Sequence, residues 1–376
     1  MEREQIVASN LARFRAERGL TQRELAESAS ISRITLGQVE RGEVDPRKRT
    51  LERIASALKV SISDLTTAAG TLSGVRFRAA TRVNSREQIL AEVARWLDVY
   101  SDLESILGRH REFRLSSLIG TDSNPISMAA KARRNLGLDG EEPIHDICGL
   151  LEDAGVKVLL LKKATDSFFG LSVSCQGGGP AIVINTWDRI SVERWIFTAA
   201  HELGHILLHS DTFVRDRDEE EVDDEREADQ FAAHLLLPRG GFDLEWQEAR
   251  GHSLLDRVLK VKRIFRVSYK TVLNRLVENG EPPSLWGKFQ GMHRTRFGST
   301  LKRRDETHPV SDTESGFRWN RSGEPDGLST YDFVHDRLAR LVRLAREREA
   351  ITGERAASIL GISMLEMESL EAEWEN

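Results

Sequence analysis

Several features are scarce in this chain of 376 residues, and each scarcity excludes something. Cysteine occurs twice, at Cys148 and Cys175, far apart and in no C-x-x-C arrangement. Neither a disulfide framework nor a thiolate metal site is expected. No apolar run approaches the roughly 18 residues that a membrane-spanning helix needs. Neither sign of charge dominates: 60 acidic residues against 54 lysines and arginines leave a net charge of -6. The whole chain is therefore no general polyanion binder, and charge has to be read locally. No internal repeat is present. The opening stretch MEREQIVASNLARF is charged and lacks the apolar centre of a secretory leader, so a cytoplasmic protein with no membrane partner is expected.

What is present is a charge-rich globular composition, 39% hydrophobic and 30% charged, in a chain too long for one ordinary core. Residues 5–68 read as short helices, with apolar positions recurring at helical spacing from Ile6 through Val60. A looser stretch, TTAAGTLSGVRFR, follows, and then one long charged helix over 84–113. Residues 126–139 read as a helix stopped at Gly137. The period then changes. GVKVLLLKK (155–163) and AIVINT (181–186) are β-rich runs, and FFGLSVSCQGGGP between them suggests a strand and a glycine turn. Helices return at 192–209, 221–237 and 252–279. A polar stretch with Pro, Gly and Ser over about 281–327 reads as a linker or irregular segment, and a helical unit closes the chain.

The expected fold class is mainly α with a small β-sheet. The expected domains are a five-helix unit over 1–68, a helical linker over 69–124, an α+β domain over 125–280, the irregular segment over 281–327, and a C-terminal helical accessory unit over 328–376.

AAHELGHILLH (199–209) holds His201, Glu202 and His205 as H-E-x-x-H. On a helix, His201 and His205 share one face a turn apart and can grip one metal ion. Glu202 is rotated about 100° from His201, so it can face an open coordination position and act as a general base. The helix is otherwise strongly apolar, and buried ionisable groups without partners are costly. Gly204 costs about 1 kcal/mol against alanine in a helix, which makes sense if a strand or another backbone packs close there. The third ligand is open on spacing alone. Asp211 stands where a third histidine would lie in the longer H-E-x-x-H pattern, and His209 drifts away along the helix. The better source is EEEVDDEREADQFAAHLLLP, where Glu225 begins an E-x-x-x-D pattern whose Asp229 can hold an imidazole from outside. Glu227 is the alternative. The acidic run Asp216–Asp224 reads as a solvated loop.

RWIFTAAHELGHILLH followed by EREADQFAAHLLLP resembles the ImmA/IrrE family of metallopeptidases. The resemblance extends upstream through AAKARRNLGL, PIHDICGLLEDAGVKV and AIVINT, and downstream into FRVSYKTVLNRLVENG, covering roughly residues 125–280. It implies a gluzincin-like zinc (Zn2+) site with His201, His205 and Glu225 as ligands and Glu202 as general base. It also implies that the substrate is a helix-turn-helix repressor, cut in a stress or mobile-element response.

LTQRELAESASISRITLGQVERGEVDPRKRTLERIASALKVSISDL resembles the Xre/Cro family of helix-turn-helix domains, which implies binding to a double-stranded DNA operator. Gln22, at the start of the first motif helix, would hydrogen-bond a phosphate. The second helix, about Ser32 to Arg41, would enter the major groove with Arg33, Thr35 and Gln38 reaching base edges. Ser32 reads as its N-cap, and Ile34, Leu36 and Val39 as packing positions. The turn is Ala29-Ser30-Ile31, with a serine where positive φ is favoured. Local attraction to DNA would come from Arg33, Arg41, Arg47, Lys48 and Arg49. A homodimer is the usual way such a small domain reaches useful affinity.

In the C-terminal unit, ITGERAASILGISMLEMESLEAEWE has helix, turn, helix character about Gly361, with Ile359, Leu360, Ile362, Met364 and Leu365 as the expected packing face. Its second helix is acidic and would repel phosphates, so it reads as an accessory or dimerisation unit. Trp319 and nearby arginines could stack on single-stranded nucleic acid, although packing of one aromatic is the simpler reading. The functional expectation is a DNA-binding transcriptional regulator that carries a zinc endopeptidase. The rival is a regulator whose peptidase-like domain senses or binds without cutting, and self-cleavage of the DNA-reading module is a third possibility.

Overall fold

A computed structural model describes residues 3–66, 75–79, 86–210, 222–302, 305–307, 333 and 336–374, apart from residues 19, 59, 61, 166, 176 and 177. The chain divides into two compact units, residues 1–72 with 84–99 and residues 73–83 with 100–376.

The first unit holds α1 (Arg3–Glu17), α2 (Gln22–Ser28), α3 (Arg33–Glu40), α4 (Lys48–Leu58) and α5 (Ile62–Thr66), together with the first part of α6 (Arg86–Leu107). Thr21 and Glu24 cap α2 reciprocally, satisfying backbone donors that a helix start would otherwise orphan. Ser32 caps α3 by accepting from the Thr35 backbone N–H, and Ser30 in the turn between them has φ +53°, as its place in the motif demands. Val7, Leu11, Phe14, Leu25, Leu36, Val39, Leu51, Ile54, Leu58 and Leu65 meet in one core. Ile34 does not join them. It is 74% exposed, against the expectation of a packing role, because its place in the first turn of α3 turns it away from Leu36 and Val39.

The second unit is built on a four-stranded sheet of order β1-β3-β4-β2, from β1 (Val75–Ala79), β2 (Lys157–Leu161), β3 (Phe168–Val173) and β4 (Ala181–Asn185). β1 and β3 pair antiparallel, β3 and β4 antiparallel, and β2 and β4 parallel. The stretch read as loose thus contains a strand. Its alternation is too short to signal one alone, and pairing with β3 decides it.

Helix α6 (Arg86–Leu107) follows β1, then α7 (Pro125–Asn135), which Asn124 caps, and α8 (Ile147–Asp153), which Asp146 caps. Beyond the sheet come α9 (Val192–Leu208), α10 (Val222–Leu236), α11 (Arg239–Glu248), α12 (Leu254–Phe265) and α13 (Tyr269–Glu278). One apolar core joins β2 and β4 to α7 through α13.

The polar stretch expected as a linker carries α14 (Leu285–Phe297), whose Leu285, Phe289 and His293 are buried. Two glycines, Gly287 and Gly291, masked its helical period, and stacking of Phe289 on Tyr269 (5.2 Å between centroids) holds it. Most of the remainder of that stretch, with Trp319, lies outside the described residues. The acidic run is likewise not one solvated loop: residues 216–221 lie outside the description, and Asp223 and Asp224 open α10.

The chain closes with α15 (Arg337–Glu347), α16 (Gly353–Leu360) and α17 (Met364–Trp374). Gly361 ends α16 in the left-handed conformation. Met364 and Leu365, expected on the packing face, are 41% and 74% exposed, and Ala356, Ala357 and Met367 are buried instead. Ser363 and Glu366 cap α17 reciprocally, which sets its rotation and leaves Met364 and Leu365 in the first turn on the outer side.

Candidate metal centre and DNA-reading helix

Helix α9 is buried on both sides. Ser191 starts it by accepting from the Arg194 backbone N–H. Two glycines let its neighbours close in. A Cβ on Gly204 would stand 2.9 Å from Phe231 Cδ1 and 3.4 Å from Ala228 Cα of α10. A Cβ on Gly170 of β3 would stand 2.6 Å from Thr198 Cγ2 and 3.2 Å from Glu202 Oε1. Sheet and α10 therefore grip α9 at the turn that carries the histidines, and His201, Glu202 and His205 are fully buried.

His201 Nε2 and His205 Nε2 face each other at 2.8 Å. Glu225 closes the group, with Oε1 at 2.9 Å from His205 Nε2 and Oε2 at 3.4 Å from His201 Nε2. The outer nitrogens are engaged as well. His201 Nδ1 lies 2.8 Å from Asp229 Oδ1, His205 Nδ1 lies 2.9 Å from His209 Nδ1, and His209 Nε2 lies 3.1 Å from Glu227 Oε2. Those contacts assign the tautomers, since an ionised carboxylate only accepts. His201 Nδ1–H donates to Asp229. His209 Nε2–H donates to Glu227, which leaves His209 Nδ1 to accept from His205 Nδ1–H. Both inner Nε2 atoms are then lone pairs.

Burial is the largest influence on His205 and holds its imidazole well below the ordinary value, so it is neutral. Two imidazole lone pairs and a carboxylate converging within 4.8 Å form an acceptor-only set. A divalent cation is the species that fits it.

The residues predicted as ligands, His201, His205 and Glu225, are thus brought together. Glu227, the alternative, supports His209 instead, and His209 is engaged as an outer partner. Glu202 stands outside the group, its Oε2 accepting from the Ser172 hydroxyl at 2.8 Å. Two participants had no signal in the sequence. One is Ser172 on β3. The other is Arg76 on β1, whose guanidinium reaches Asp224 at 2.8 Å and Glu225 at 3.6 Å.

In the first unit, Arg33 and Ile34 of α3 are exposed, and Thr35 and Gln38 are half-buried. Gln22 donates to Glu40 Oε2 at 2.5 Å, and Arg15 bonds the same carboxylate, tying α1, α2 and α3 together. Arg41 is paired with Glu43 at 2.6 Å, which reduces its share of any local attraction to phosphate.

Comparison with known proteins agrees with this anatomy. Residues 11–65 match the helix-turn-helix family, and residues 151–277 match peptidase family M78, the IrrE N-terminal-like domain. The uncharacterized HTH-type transcriptional regulator y4dJ of Sinorhizobium fredii (strain NBRC 101917 / NGR234) is 42% identical over 67 residues, 18% of this chain and 87% of that protein. An immunity repressor protein of Bacillus phage phi105 is 42% identical over 57 residues, 15% of this chain and 40% of that protein; the match spans less than half of the phage repressor. The chain belongs to the helix-turn-helix DNA-binding regulators and carries downstream of that domain an IrrE-like, peptidase-type domain. Among the described residues no helix is long and apolar enough to cross a membrane.

Proposed function

We propose that this regulator carries a working metalloendopeptidase, with His201, His205 and Glu225 holding a zinc or other divalent ion and Glu202 as general base. The observation that carries the reading is the acceptor-only set of His201 Nε2, His205 Nε2 and the Glu225 carboxylate beside a buried carboxylate that is not part of it. When bound, the ion supplies Lewis acidity to a peptide carbonyl. Glu202 takes a proton from the attacking water and returns it to the leaving amide nitrogen as the C–N bond breaks. Ser172 aims that carboxylate by donating to Oε2. Asp229 and the His209–Glu227 pair hold the two imidazoles with their lone pairs inward.

The substrate we favour is a helix-turn-helix repressor or related regulatory protein in a stress or mobile-element response. The DNA-reading unit binds an operator as a homodimer through Arg33, Thr35 and Gln38 on base edges and Gln22 on phosphate. Tethering raises the peptidase's concentration beside anything bound at the same promoter.

Metal content and turnover test this together. Wild type should hold one divalent ion per chain, Glu225→Gln should lose it, and Glu202→Gln should keep it while losing cleavage of a helix-turn-helix repressor substrate by about 10²–10⁴-fold. Metal retained in Glu225→Gln but lost in Glu227→Gln would move the ligand. A Glu202→Gln chain that regulates its promoter like wild type would make the domain a non-cleaving sensor.

A further inference from the structure

The matched peptidase-type region, 151–277, accounts for β2, β3 and β4 but not for β1. β1 comes from the segment that follows the DNA-reading helices in sequence, and it lies at the sheet edge, antiparallel to β3. Its register puts Arg76 opposite Ser172. Opposed residues of an antiparallel pair project from the same face, and the Ser172 hydroxyl is bonded to Glu202. The Arg76 side chain therefore enters on the side of the candidate catalytic carboxylate. It is nearly buried there, 11% exposed, and its guanidinium bonds Asp224, itself 15% exposed, at 2.8 Å. An extended segment with a basic side chain thus already lies beside the metal group, held by main-chain pairing. Recognition of extended peptides by strand addition works in this way: backbone bonds give affinity and a pocket for one side chain gives selectivity.

We propose that residues 75–79 are a resident occupant of the strand-pairing edge through which the peptidase site receives an extended substrate segment, and that a substrate enters by displacing them and placing a basic side chain on Asp224 where Arg76 now lies. This rests on the peptidase reading above and deepens it. The substrate class is an extended protein segment bearing arginine or lysine. Occupancy by β1 lowers the apparent affinity for any substrate by the fraction of time the edge is open.

The test reads binding rather than turnover. The full chain carrying Glu202→Gln is titrated with a fluorescein-labelled peptide of the sequence of residues 73–81, followed by anisotropy, with and without Arg76→Ala in the chain. Weakening the resident strand should tighten probe binding about tenfold or more. A second probe carrying Arg76→Ala within the peptide should lose most of that gain. Equal affinity of the first probe for both chains, or equal affinity of the two probes, overturns the proposal. Should Arg76→Ala fail to fold, Arg76→Lys keeps the charge without the fork and should show a smaller tightening. In the chain without any Arg76 change, excess probe should speed amide hydrogen exchange at 75–79, and unchanged exchange there counts against displacement. Cleavage enters none of these readings, so failure of the peptidase reading and failure of this one are separable.

Discussion

Glu152 offers a sharp physical test of how the C-terminal helices attach within the second unit. It lies on α8 and is fully buried. Its Oε2 accepts from the Arg337 backbone N–H at the start of α15, at 3.1 Å, and its Oε1 finds no hydrogen-bond partner among the described residues. Burial is the main reason its carboxyl is pushed up to about 7 from the usual 4.5; the α15 backbone donors and Arg340 oppose the rise and Asp336 adds to it. The folded state thus binds this proton more tightly than the unfolded chain does. Its contribution is fully present below about 4.5 and is lost as pH rises through about 7. At about 1.4 kcal/mol per unit, the shift corresponds to roughly 3 kcal/mol by pH 8.5. Glu152→Gln stays neutral at every pH and retains an acceptor for Arg337. It should match wild type at pH 5 and exceed it by up to about 3 kcal/mol at pH 8.5. Denaturant unfolding of the full chain at both pH values, following the transition of the second unit, measures this. The same difference between variant and wild type at both pH values would refute the account.

Asp229→Ala removes the acceptor that keeps the His201 lone pair inward; zinc affinity should fall about 10–100-fold with the fold intact, measured by competition with a chelator of known affinity. Ile34 is exposed on the DNA-reading helix and can meet a thymine methyl; Ile34→Ala should cost about 1–3 kcal/mol of binding at a specific operator and leave random DNA unaffected. Equal loss on both DNAs would place Ile34 outside base reading.

Much of this anatomy was legible in the chain because it depends on local rules. The 3.6-residue turn brings His201 and His205 to one face whatever surrounds them, and Ser32 caps its helix through a bond spanning only three residues. The positive φ at Ser30 follows from the turn itself. Periodicity misled where an element has little periodicity to show. Gly287 and Gly291 hid α14, Val75–Ala79 is too short to declare itself a strand, and the first turns of α3 and α17 expose Ile34 and Leu365 against their apolar character.

Only the tertiary structure places Glu225, rather than Glu227, against the His201 and His205 Nε2 atoms, because that depends on how α10 packs along α9, and on Gly204 meeting Phe231 and Ala228. It alone brought Ser172 to Glu202 and carried Arg76 across 148 residues to Asp224. Such contacts are set by strand register and by which faces the core buries, and no local spacing encodes either. The candidate site residues were therefore plain in the sequence, while the neighbours that contact them appear only when sheet, helix and edge strand are packed together.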